Sequence, residues 1–313
     1  MAKTIAIGKF VSVACDLLSS ADEATMLKIA IILATVLWGI ATLVVLTWNL
    51  LAARESEPKR KMKTNAKSKK NGHKRNAMCQ LDSLPEELTL CKVNPELGWK
   101  ISKHLKKLGL ETPMITSKSK DFVGPDAQID EIKGKFREIM QCLGLDLTND
   151  SLSDSPKRVA RMFVTEMFWG LRPEYFPKCT AVANEIKYDE MVVEKNIGVD
   201  SYCEHHFVPI EGHAHVAYIP ASKVLGLSKL NRIVRYFSRR PQIQERLTKQ
   251  IQSALQYILE TQDVAVSIVA THHCVRSRGV RDGASLTVTS QLGGRIKKDP
   301  RTRQEFLCVT KEC

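Results

Sequence analysis

Between Asp126 and Leu143, apolar side chains recur at Ile129, Ile132, Phe136, Ile139, Met140 and Leu143, the stripe of an amphipathic helix. Ser155 before Pro156 reads as an N-cap and a first-turn proline, opening a second helix that ends near Gly170. Beyond Lys178 the period shifts toward two, and Met191–Val193 and His213–Ile219 read as strands. Ser228 and Pro241 open two further helices, the second long, with Ile243, Leu247, Ile251, Leu255 and Ile258 on one face. Val264–Val275 and Ala284–Ser290 return to alternation and β-branching. The order predicts an α+β domain from about Pro125 onward, its antiparallel sheet covered on one face by a helical pair. Upstream, Asn94–Leu108 reads as a short amphipathic helix with Pro95 in its first turn, and 113–124 as loop. Nothing in 77–124 identifies a chemistry.

The N-terminal pattern is different. Residues 29–53 carry no charge, and as a helix would be about 37 Å long, enough for a ~30 Å hydrocarbon core. Trp48 lies near the basic end, where an interfacial indole is expected. Residues 54–76 follow with ten basic residues against Glu55 and Glu57. The expected organisation is a short segment 1–28, a single transmembrane helix 29–53, a basic and largely disordered tether 54–124, and a catalytic domain 125–313. The positive-inside rule puts that domain on the cytosolic side of a single-pass membrane protein, with the tether against anionic lipid.

Charge and cysteines narrow the classes. The formal net charge is +13, but residues 54–76 supply +8 of it, so the body is only mildly basic and nucleic-acid binding is not expected. Nine irregularly spaced cysteines argue against a secreted disulfide framework and for free or metal-bound thiols.

Four of the eight histidines fall in two adjacent pairs, each close to a cysteine: Cys203-Glu204-His205-His206 and His272-His273-Cys274. Thiolate and imidazole together suit Zn²⁺. Cys203, His206 and Cys274 as ligands would leave a fourth position for water, the catalytic arrangement; a structural zinc normally closes with four protein ligands. If the second cluster lies on a strand, His272 shares the face of Cys274 and stands ready to move a proton, while His273 points away. His205 is better placed to orient substrate or water than to ligate. Ser228, Lys229 and Arg232 open a helix with a hydroxyl cap and two cations, a ready anion site. Arg276, Arg278 and Arg281 could add phosphate contacts. A carboxylate at Glu245, one turn into the next helix beside Gln244, could pair with the N–H donors of a guanine edge.

Four motifs in order then carry a resemblance: Ser201-Tyr202-Cys203-Glu204-His205-His206-Phe207-Val208-Pro209, Gly226-Leu227-Ser228-Lys229-Leu230-Asn231-Arg232, Arg240-Pro241-Gln242-Ile243-Gln244-Glu245-Arg246-Leu247-Thr248 and His272-His273-Cys274-Val275-Arg276-Ser277-Arg278-Gly279-Val280-Arg281-Asp282. Together with Asp154–Ala160 they closely resemble the GTP cyclohydrolase I family, over about three fifths of the chain. The resemblance implies a tunnelling-fold subunit in a toroidal homodecamer. It implies zinc-dependent conversion of GTP and water to formate and 7,8-dihydroneopterin triphosphate, the first step toward tetrahydrobiopterin or folate. It places zinc on Cys203, His206 and Cys274, acid/base work on His272 with His205 assisting, triphosphate on Ser228, Lys229, Arg232 and Arg278, and guanine on Gln244 and Glu245. His273 departs from the expected pattern, and residues 1–124 are foreign to the common core. The competing classes are a membrane-tethered, inactive regulator of the same fold and a zinc-stabilised nucleotide-binding module. Neither requires the whole set of ligands, acid/base and clamp.

Overall fold

The computed structural model describes residues 92–114 and 124–311, all within one compact unit spanning 77–313. Helix α1 (Pro95–Lys107) starts where the side chain of Asn94 accepts the Leu97 N–H and Pro95 supplies a preset φ. It buries Ile101 and Leu105 in the main core. Gly98 allows the docking, because a Cβ there would come within 1.9 Å of the Pro173 carbonyl oxygen. The segment without a recognisable chemistry thus carries a core helix. Its continuation brings Glu111 against Arg240, a pair at 2.6 Å with side chains 12% and 2% exposed.

Helix α2 (Pro125–Cys142) follows the expected stripe. A short α3 (Asp150–Ser153), capped by Asn149, precedes α4 (Ser155–Arg161). The cap of α4 is Asp154 rather than Ser155. The helix does not run on to Gly170: it widens to a π turn over Met162–Met167, where the Phe168 N–H reaches the Phe163 carbonyl, five residues back. Two 3₁₀ turns, Trp169–Leu171 and Pro173–Tyr175, lead to β1 (Ala181–Ala183).

The remaining elements are β2 (Val192–Cys203), β3 (Pro209–Tyr218), β4 (Lys223–Leu225), α5 (Leu227–Ser238), β5 (Pro241–Gln242), α6 (Gln244–Leu259), β6 (Val264–His272), α7 (His273–Arg276), β7 (Thr287–Leu292), α8 (Gly294–Lys298) and α9 (Pro300–Thr310). The main sheet has the order β5-β2-β3-β6-β7, antiparallel except for β5, which runs parallel to β2; β1 and β4 pair separately. Helices α5 and α6 pack against the sheet. Leu230, Ile233, Val234 and Phe237 of α5 and Leu247, Ile251 and Leu255 of α6 are fully buried with Val199, Val216, Val264, Val266 and Ile268. Each such side chain contributes roughly 1.5–3 kcal/mol. The α+β class and the helix-covered antiparallel sheet are as the pattern predicts.

Three boundaries differ for physical reasons. Strand β2 runs ten residues past Val193, because a bulge between Glu194 and Ile197, with Asn196 at φ 56°, interrupts the alternation. Pro241 opens no helix; it pairs with Tyr202 in β5, and α6 begins at Gln244. Strand β6 stops at His272, opposite Ile210, since the next residue of β3 is Pro209, which has no N–H to continue the ladder.

The membrane placement is corrected. Among the described residues no helix is long and apolar enough to cross a membrane. The longest of them, α2, has 18 residues and carries Asp126, Asp130, Glu131, Lys133, Lys135, Arg137 and Glu138. The single-pass, cytosol-facing localisation and the lipid contacts are therefore not retained. Residues 29–53 and 54–91, on which they rested, lie outside the described residues, as does most of the expected loop 113–124.

Candidate active site

Strand β2 delivers Cys203 to a tight turn that is closed twice by backbone bonds. The Cys203 N–H donates to the Val208 carbonyl at 2.9 Å, and the Phe207 N–H to the Cys203 carbonyl at 2.8 Å. Phe207 takes a left-handed conformation, φ 55°, and packs with Phe163 and Phe168 on the wall of an apolar cavity of about 520 Å³. The turn leaves His205 and His206 exposed, with their Nδ1 atoms 3.7 and 3.8 Å from Cys203 Sγ. Since β6 ends at His272, Cys274 comes from the single helical turn α7 and not from a strand face. That revises the route by which Cys274 arrives but not the meeting: the ligand atoms of Cys203, His206 and Cys274 all lie within 4.8 Å of one another.

This donor set fits a metal on its own chemistry. Burial pushes the Cys274 thiol above its ordinary value, and the adjacent Cys203 sulfur adds to the rise. A thiol that resists ionisation beside a second sulfur is stabilised as a thiolate by a cation between them. Two sulfurs and an imidazole are borderline-soft donors, suited to zinc.

Around the cluster, the Arg278 guanidinium, which can only donate, bonds His206 Nε2 at 2.9 Å. His272 is half-buried, and burial lowers its pKa against an upward pull from the Glu245 charge. Its Nε2 lies 2.7 Å from Gln244 Oε1. His273 turns to Glu211, 3.1 Å away. Glu245 is exposed in the first turn of α6, whereas Gln244 beside it is buried. Ser228, Lys229 and Arg232 lie on the first turns of α5, whose N-cap is Gly226 and not the expected hydroxyl of Ser228. Lys229 and Arg232 stand close enough to Cys179 for their charges to pull its pKa down, although burial dominates and pushes that thiol up to about 12. Among the described residues no hydrogen bond joins Ser228, Lys229 or Arg232 to the Cys–His cluster.

One contact was invisible to the motif reading. Arg246 pairs with Glu204, holding the Cys203–His206 turn against the start of α6, and its Nε donates to Gln242 Oε1 at 3.2 Å. The Glu204 N–H reaches the Gln242 carbonyl at 3.0 Å. Both residues stand inside the quoted motifs, but nothing in a linear spacing of 42 residues signals their pairing.

The sequence model of the GTP cyclohydrolase I family matches residues 132–311, more than half of the chain. The chain belongs to the GTP cyclohydrolase I family. Among its curated relatives, GTP cyclohydrolase 1 of Aeromonas salmonicida is 54% identical over 203 residues, covering 65% of this chain and 91% of the relative. The Vibrio cholerae protein of the same name is 53% identical over 203 residues, 65% of this chain and 92% of its own length. That of Shewanella oneidensis is 49% identical over 216 residues, 69% and 98%. At this identity the chain is an enzyme of the GTP cyclohydrolase I type, and the inactive-regulator alternative is not favoured.

Proposed function

We propose that the protein hydrolyses GTP and rearranges the opened ring, giving 7,8-dihydroneopterin triphosphate and formate as the entry to pterin synthesis, with zinc on Cys203, His206 and Cys274. The observation that carries the reading is the convergence of those three donors within 4.8 Å, with His272 two residues before the last of them. Zinc bound there supplies Lewis-acid activation of water. His272, whose pKa is lowered by its burial, moves the proton to and from the imidazole ring of the base. His205, exposed at the mouth of the turn, orients substrate or water. The carboxylate of Glu245 accepts from guanine's N–H donors, so adenine, lacking that pair, would leave it unmatched. Ser228, Lys229 and Arg232 at the start of α5 hold the triphosphate, and Arg278, beside His206, adds a cation at the metal end. The catalytic domain spans 125–313 with α1 docked on it, following the segments 1–28, 29–53 and 54–124, and the family's architecture supports a tunnelling-fold homodecamer.

Formate release is the test. The purified full-length protein, zinc-loaded, is expected to release one formate per GTP consumed and none from ATP. Binding of GTP without formate would leave the protein a nucleotide-binding module.

A further inference from the structure

The side-chain amide of Gln244 is enclosed by groups whose chemistry leaves it one orientation. Its Nε2 lies 3.1 Å from the Ile268 carbonyl oxygen, 3.0 Å from that of Thr287 and 3.1 Å from Thr289 Oγ1. Carbonyls only accept, so the amide must turn its N–H groups toward them. The hydroxyls agree. Thr248 directs its one proton at the Gln244 backbone carbonyl, 2.8 Å away. Thr289, 2.7 Å from Thr248 Oγ1, therefore donates to Thr248 and offers Gln244 only lone pairs. A flipped amide would press Oε1 against two carbonyl oxygens at a residue 1% exposed, where no water relieves the mismatch.

With that orientation set, Oε1 is the atom facing His272 Nε2 at 2.7 Å. An amide oxygen accepts, so the proton in that bond belongs to Nε2. We infer that Gln244 is a positioning residue of the reaction: it holds the His272 ring with its proton on Nε2 and leaves Nδ1 as the atom that exchanges a proton with the substrate. The inference rests on the acid/base role proposed for His272. It also takes Gln244 away from guanine, because both its N–H groups are already engaged by the β6–β7 edge. In a serine protease, an imidazole held in the wrong tautomer costs about 10⁴ in kcat, so a ring-orienting contact of this kind is worth measuring.

The direct test is the ring tautomer of His272 in the full-length protein. Solid-state ¹⁵N NMR on protein carrying ring-labelled histidine reads it, with His272→Ala identifying the signals by difference. The neutral ring is expected to carry its proton on Nε2. A neutral ring protonated on Nδ1 would overturn the inference whatever the activity. Gln244→Met removes the acceptor at similar bulk and is expected to lower kcat roughly 10- to 100-fold with KM within about twofold. A raised KM at unchanged kcat would return Gln244 to base recognition and reject the positioning role. The tautomer measurement on the unaltered protein keeps the question answerable if the Met variant does not fold. Normal turnover by His272→Ala would sink the acid/base reading and the catalytic half of the inference with it. The wrong tautomer beside an inactive His272→Ala would sink the inference alone.

Discussion

The proposed metal side and the proposed proton side of the site are built from different material. Cys203, His206 and Cys274 stand on a hairpin turn and a single helical turn, with His206 exposed and Arg278 beside it. Gln244 and His272 stand at the start of a 16-residue helix and the end of a central strand, joined to a closed set of buried bonds. Turns can bring soft donors together from distant segments and leave a coordination position free. A proton carrier needs the opposite, a ring held at one angle by groups that cannot turn. The lesson is that turns carry the candidate ligands here, whether buried as Cys203 or exposed as His206, and satisfied burial marks the positioning residue.

Removing one donor from the metal side should have the largest effect. Cys274→Ser is expected to reduce zinc content and leave turnover below detection, because two remaining ligands make a weak site. On the proton side, His272→Ala should lose turnover while keeping zinc near one per subunit. Metal analysis of both variants beside formate release separates the two halves, and zinc loss in the His272 variant alone would reverse their roles.

Glu245→Ala comes next. Taking away the acceptor of the guanine donors should lower kcat/KM for GTP roughly 30- to 100-fold, and a normal value would remove Glu245 from base recognition. The link between the halves is Arg246, which ties Glu204 of the metal turn to the start of α6. Arg246→Ala leaves the half-buried Glu204 carboxylate with only the His205 ring, 4.0 Å away, as a neighbour of opposite charge when protonated. A fall of about tenfold in kcat with weakened zinc retention is expected in a chelator competition; zinc retention equal to wild type would confine the pair to stability. The smallest effect lies farthest from the chemistry. Asn94→Ala removes the cap of α1 and should cost about 1 kcal/mol in a denaturant titration, with kcat unchanged.

Much of this was legible in the sequence where one physical signal dominated. The stripes of α1, α2 and α6 fixed those helices, and the two Cys–His clusters named every donor that the structure brings together. Where two signals compete, the linear pattern misplaces the boundary. Asn196 in the left-handed region broke the alternation of β2, Pro241 looked like a helix start but serves a parallel pairing, and Pro209 ended β6 from the neighbouring strand. The roles of Gln244 and Arg246 depend on partners 24 to 45 residues away, and no local pattern encodes such bonds. The long apolar run at 29–53 had a single signal as well, but it suggested a membrane placement that the described residues do not bear out.

The catalytic site turns on which atoms hold the metal. Zinc-edge X-ray absorption on the full-length protein as purified reads that shell directly. Two sulfur neighbours at about 2.3 Å, one imidazole nitrogen and one further light atom are expected, with one sulfur lost in Cys274→Ser. A shell without sulfur, or one closed by four protein ligands, would contradict the catalytic site described for Cys203, His206 and Cys274.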